Sequence, residues 1–391
     1  MQDKSKPALT SILATLLALQ AGGCSDGSDN ATCNVACDAT ETEDQCYARL
    51  RNPDSEQVTL ATAIAERYMQ EHPATDEYWD WTSGVLMFAM TELYRVTGDT
   101  EVRDYYKEYM DFQIEQGYRL FWSDSCPPAL TALALLRESE DARYQKVVDD
   151  VLEYLRTAPR TEDGGISHYG AIYPTIWVDS LFMFGMVLNR QGELADDSES
   201  LGLMSEQLGI FSDVLQADNG LLVHADAWSE PFDTDIYWGR GNGWVTASLA
   251  DYQRIQCQRG ESDPDAMRMF RRQVDGVLAT QDPQTGMWWT VMNRPGETYL
   301  ETSATALFAY GMARGYRYGL LGQPELEAAK NAVDAVRGKV QYDDQNRPYI
   351  TGISGPTDVS TFEQYASVPL EDDLNYGVGA VILALIETSG L

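Results

Sequence analysis

The sequence predicts an all-α fold, an (α/α)6 barrel of six helical hairpins, and three observations carry that expectation. Apolar residues recur at three- and four-residue spacing almost without a break from about Val58 onward, and the long alternating runs of strands are scarce. Strongly apolar segments alternate with charged, amphipathic ones. Between them the same link recurs: a short polar turn, then an acid-rich helix start, as expected of antiparallel neighbours.

Taken in order, residues 1–23 read as a processing segment rather than as part of the fold. Lys4 and Lys6 precede PALTSILATLLALQAGG, which is short and rich in small residues for a transmembrane helix. It runs into Cys24 and resembles a bacterial lipoprotein signal, in which that cysteine is lipidated. The expectation is export, with a lipid anchor in the cell envelope (periplasm or outer membrane). Residues 24–56 read as a polar, cysteine-containing tether. Cys33, Cys37 and Cys46 cluster there without a histidine or a CxxC pair, which argues against zinc and for a disulfide within the cluster. Cys126 and Cys257 lie far from the cluster and from each other.

Residues 57–391 read as a single catalytic domain. VTLATAIAERYM is amphipathic and VLMFAMTELY apolar; VTGDTEVRDYY turns into the next charged helix, and ALTALALL follows it. LRESEDARYQ leads to VVDDVLEYLRT, then to WVDSLFMFGMVL. LNRQGELADD leads to LGLMSEQLGIFSDVL, then GWVTASLADY; SATALFAYGMA, LLGQPELEAAK and YGVGAVILALIE complete the series. Six apolar helices alternating with six half-exposed ones suggest an inner and an outer ring. The loops before the inner helices are long and carry aromatics with carboxylates: WSDSCPP, DGGISHYGAIYPTIWVD, LLVHADAWSEPFDTDIYWGRGNGW and DPQTGMWWTVMNRPGETYLETS. Such loops, gathered at one end of a ring, look like a ligand site.

Charge narrows the ligand. With 61 acidic against 28 basic side chains and a net charge of −33, the chain repels nucleic acid and anionic membrane, and an anionic ligand needs a local cation. The three histidines are His72, His168 and His224, and no serine lies in a GxSxG turn, so no nucleophilic triad presents itself. GRGNGW fits neither the P-loop nor the GxGxxG pattern. Carboxylates remain. Asp179 sits in the apolar IWVDSLFMFGM, where a buried acid keeps its proton near neutral pH unless it is a helix cap. Asp124 in WSDSCPP offers the same pair of readings. His168 and His224 lie in aromatic-rich loops; Arg240, between glycines that leave room for a ligand, is the cation for an anionic group. Trp238 and Trp244 offer flat faces to a sugar. Another (α/α)6 enzyme, a polysaccharide lyase or a sugar epimerase, and a non-enzymatic glycan-binding protein remain open on these residues.

These stretches, in this order, resemble the unsaturated glucuronyl and rhamnogalacturonyl hydrolases, glycoside hydrolase families 88 and 105, the second more closely. WVD, with W-x-RGNGW following, is the most specific part, and the likeness spans nearly all of the chain after residue 57. The resemblance implies an (α/α)6 enzyme that removes the 4,5-unsaturated uronic acid which a polysaccharide lyase leaves at a non-reducing end. It implies Asp179 as the acid/base and Asp124 as the second catalytic carboxylate. His168, His224, Trp238, Arg240 and Trp244 would line the sugar subsite. Trp81, opening WTSGVLMFAM, and Trp288, in GMWWTVM, join them as substrate-binding candidates. No metal or cofactor is implied, and the partner is an oligosaccharide.

Overall fold

The computed structural model describes residues 40–229 and 231–391, which belong to one compact unit. The expected signal and Cys24 lie outside the described residues. The tether is shorter than expected. Helix α1 (Glu43–Leu50) starts on a reciprocal Thr42/Gln45 capping box and buries Tyr47, and Arg51 behind it is wholly buried. The polar spacing of this stretch hides two residues whose partners lie far off in sequence. Cys46 and Cys257 are both disulfide-bonded, so the bonding reaches beyond the cluster, while Cys126 is a buried free thiol.

Six hairpins follow. The outer helices are α2 (Glu56–Glu71), α4 (Thr100–Gln116), α6 (Ala142–Thr157), α9 (Ser198–Leu215), α11 (Pro264–Ala279) and α13 (Gln323–Arg337). The inner ones are α3 (Trp81–Thr97), α5 (Ala129–Leu136), α7 (Ser180–Met183) continued by α8 (Gly185–Leu194), α10 (Gly239–Gln258), α12 (Thr302–Arg317) and α15 (Asn375–Thr388). The inner helices pack side by side, and α15 returns to α3 and closes the ring. The chain is a six-hairpin toroid, as expected. Helix α14 (Phe362–Ser367) and three two-stranded ribbons decorate the loops.

The recurrent link has a local cause. Asp99, Asp141, Asp197 and Asp263 each cap an outer helix by accepting a backbone N–H from its first turn. A carboxylate there satisfies an orphan donor and meets the positive end of the helix dipole. The glycines of GRGNGW serve helix packing rather than ligand clearance. A Cβ on Gly239, Gly241 or Gly243 would sit 2.9 Å from Trp289 O, 2.5 Å from Val178 Cγ1 and 2.8 Å from Leu307 Cβ respectively. That closeness lets α10 lie against α12 and the Asp179 loop.

Candidate active site

The N-termini of the inner helices converge at one mouth of the barrel, and the sequence-predicted acids gather there. Asp124 lies in the short turn before α5, and Asp179 directly precedes α7. His168 stands between them, Nε2 3.8 Å from Asp124 Oδ2 and Nδ1 3.7 Å from Asp179 Oδ1. Acidic and imidazole atoms of all three lie within 4.8 Å of one another. Ser123 Oγ and Ser180 Oγ, 2.7 and 2.9 Å from His168 Nδ1, fix the ring, which stacks on Trp177 at 4.5 Å and 6°. Asp179 is not a helix cap in this structure: its side chain accepts no capping bond. Asp124 Oδ1 and Asp179 Oδ1 are buried and have no hydrogen-bond partner among the described residues.

Burial without a contacting cation decides the protonation here. It pushes the Asp179 carboxyl up to about 7, against the pull of its own backbone N–H, the Arg240 charge and the Ser180 N–H, and with a further push from Asp358. Burial, then the Asp179 charge, raises Asp124 well above the usual carboxylate range. The two carboxyls therefore titrate as a pair that retains a proton near neutral pH. Burial lowers His168 to about 3, and burial with the nearby His168 and Arg240 holds His224 well below its ordinary value, so both imidazoles are neutral.

His224 is set from its far side. Tyr365, on α14, places its hydroxyl 2.5 Å from His224 Nδ1. The tautomer follows the direction of that bond: a phenol that donates leaves the imidazole proton on Nε2, a buried atom with no partner among the described residues. Trp238 stacks on the same ring at 4.3 Å. The mouth thus holds a protonated acid, a neutral imidazole with an unpartnered Nε2 and orphaned carboxyl oxygens, an arrangement made for an oxygen-rich neutral or anionic ligand.

The family model for Glycosyl Hydrolase Family 88 matches residues 57–391. The chain belongs to glycosyl hydrolase family 88. It is 29% identical, over 72% of its own length and 83% of the relative's, to the unsaturated rhamnogalacturonyl hydrolase YesR of Bacillus subtilis. It is 25% identical to an unsaturated 3S-rhamnoglycuronyl hydrolase of Alteromonas sp., across 54% of this chain and 50% of that one. Its fold is that of a family 105 glycoside hydrolase of C. acetobutylicum (TM-score 0.78, 21% identity, 85% and 99% of the two chains). The unsaturated glucuronyl hydrolase of Bacillus sp. GL1 is also similar (TM-score 0.68, 19% identity, 84% and 95%).

In this family 88 enzyme several expected ligand residues turn out to be scaffold. Arg240 presents no free fork: its Nη atoms donate to Ser354 O, Gly355 O and Thr357 Oγ1, and its guanidinium lies between Trp238 and Tyr376. It is a fixed charge under the site, with only Nε unpartnered among the described residues. Trp244 is fully buried, packed on Phe182 and edge-on to Trp81, so it is core and not wall. Trp288 is also core; its indole donates to Val277 O and its ring packs on Phe308. An apolar ring next to a loop motif reads alike in both roles, and only depth separates them. Trp81 is half-buried at the mouth, tilted against Tyr376. His72 lies elsewhere, stacked on Tyr68 of α2. The sequence reading missed Trp177, Ser123, Ser180 and Tyr365. Trp177 was within reach, since it sits in the same triplet as Asp179; Tyr365 in FEQYAS carries no local signal.

Proposed function

We propose that this glycoside hydrolase removes a 4,5-unsaturated uronic acid from the non-reducing end of lyase-generated oligosaccharides by hydrating its C4=C5 vinyl ether. The supporting observation is Asp179: a buried carboxyl, raised to about 7, with an orphan oxygen beside a second raised carboxyl. Its proton goes to C4, and positive charge develops at C5 and the ring oxygen. The resulting carboxylate takes a proton from water, whose oxygen bonds to C5. The hemiketal then opens by breaking the bond from C5 to the ring oxygen, and the hemiacetal left at C1 releases the sugar alcohol. One water is consumed and Asp179 regains its proton. Because no glycosidic carbon is attacked directly, the spacing of the two carboxyls does not set a retaining or inverting outcome. Asp124 stays close enough to keep the pair protonated, and His224 Nε2–H donates to the sugar.

The name of the relative YesR supports a rhamnogalacturonan-derived substrate, and the Alteromonas relative supports a rhamnose-linked uronate more widely. The test is to follow the ultraviolet absorbance of the conjugated double bond with lyase products of several polymers. Loss of absorbance with release of a shortened sugar is the expected result. A rise from intact polymer would mean a lyase, and binding without change would mean a glycan-binding protein; either would overturn the proposal.

A further inference from the structure

The wall of the mouth beside His168 continues outward as a run of aromatic rings that the reaction itself does not use. Tyr169 meets His168 edge-on at 4.8 Å; Trp122 meets Tyr169 at 5.4 Å; Phe121 stacks on Trp122 at 4.9 Å and 25°. The outer face of Phe121 is open, with 56% of the residue exposed. Trp228 packs on Tyr169 and on Tyr173 from the facing loop. A single exposed aromatic is unremarkable on a protein surface, but one that ends a continuous aromatic path from the reacting centre is a binding feature.

The path is also held rigid. Ser123 N donates to His168 O, and Phe121 N donates to Ser125 Oγ. Gly170 has φ +61°, and a Cβ there would lie 2.8 Å from Phe121 O, so only glycine lets the two loops approach this closely. Phe121 therefore keeps a fixed position relative to His168, and hence to Asp179. Each aromatic step is comparable in length to one pyranose residue.

Resting on the activity proposed above, we infer that Phe121, three aromatic steps from His168 and backed by Trp122, is a stacking platform for the third sugar beyond the cleaved bond. An uncharged ring face recognises the C–H face of a pyranose, so the inferred ligand there is an uncharged sugar, as rhamnose would be at that place in an alternating uronate–rhamnose chain. The platform makes the enzyme prefer substrates of four or more sugars over the disaccharide.

The experiment compares kcat/KM for an unsaturated disaccharide and an unsaturated tetrasaccharide from the same lyase digest, in the wild type, Phe121→Ala and Phe121→Trp. Phe121→Ala is expected to lower the tetrasaccharide value about two- to tenfold, mainly through KM, and to change the disaccharide value by less than about twofold. Phe121→Trp is expected to restore the length preference. Equal losses on both substrates, or no loss on either, would overturn the platform while leaving the activity standing. If the wild type turned over neither, the activity itself would fail and the platform with it.

Discussion

The two mouths of the barrel treat buried carboxylates in opposite ways. At the N-terminal ends of the inner helices, Asp124 and Asp179 flank the neutral His168, form no ion pair with an arginine or lysine among the described residues, and are pushed toward the protonated form. At the C-terminal ends, Glu92, Glu193, Asp251 and Glu387 are bound by arginines and lowered. Arg51 forks onto Glu387, Arg314 joins Glu387 to Asp251, and Arg190 joins Asp251 to Glu193 and Glu92. Burial alone does not make a functional acid. The cations supplied with it decide, and here they stand where the helix dipoles favour positive charge.

The comparison breaks first at Asp179. Asp179→Asn is expected to lower kcat by about 10²- to 10⁴-fold, the usual worth of a general acid, while leaving the fold intact. Near-normal turnover of the unsaturated substrate would remove Asp179 from the mechanism. At the other mouth the loss should appear as stability instead. Glu387→Gln leaves Arg51, Arg314 and Arg317 without their shared carboxylate, and an uncompensated buried charge costs about 3–5 kcal/mol. A loss of unfolding free energy in denaturant melts of less than about 1 kcal/mol would mean the network is not holding the ring closed. Its kcat at a permissive temperature should match the wild type.

pH sharpens the contrast by its sign. Asp179 binds its proton more tightly folded than unfolded, so stability falls as pH rises from the ordinary aspartate range through about 7. For Glu387 and Asp251 the folded value is depressed; their contribution is present above the ordinary range and is lost as pH falls below it. Asp179→Asn should therefore stabilise the protein above about 7, with the gain shrinking toward the ordinary aspartate range. Activity, needing the protonated acid, should decline as pH rises through about 7. Thermal midpoints measured across that range, wild type against variant, check the stability sign; a gain that grew on acidification would reverse the assignment.

The same contrast explains what was legible in the sequence. The ring was legible because inner and outer helices differ in composition along their whole length, and Asp-capped links repeat between them. A carboxylate within an apolar run marked Asp179, but Glu92 in VLMFAMTELY, Asp251 in GWVTASLADY and Glu387 in VILALIE carry the same signal. What separates them is an arginine three residues on for Glu92 and Asp251, and for all three a place in the C-terminal half of an inner helix, whereas Asp179 precedes its helix. SLFMFG, following Asp179, offers no such cation. Depth was not legible: Trp244, Trp288 and Arg240 belong to loop motifs yet lie beneath the site. Nor were contacts across the chain, such as Tyr365 on His224 or Arg51 on Glu387, because nothing local announces them.

Tyr365 gives the smallest and most discriminating test, because it belongs to the active mouth yet acts as a partner does at the other. In the proposed mechanism its hydroxyl, 2.5 Å from His224 Nδ1, donates there and so holds the imidazole proton on Nε2. Tyr365→Phe keeps the ring that packs beside His224 but removes that donor, which leaves the tautomer unset. A hydrogen bond of this kind is worth about 1 kcal/mol net, so kcat/KM should fall about five- to tenfold, with only a slight loss of thermal stability. The alkaline decline of activity should stay where Asp179 puts it, since neither carboxyl has changed. If Tyr365→Phe instead cost stability and left kcat/KM untouched, His224 would be a packed ring like Trp244 and not a donor to the sugar. A loss confined to kcat/KM would show that a partner which at the arginine-rich mouth holds the fold together here sets the direction of one proton.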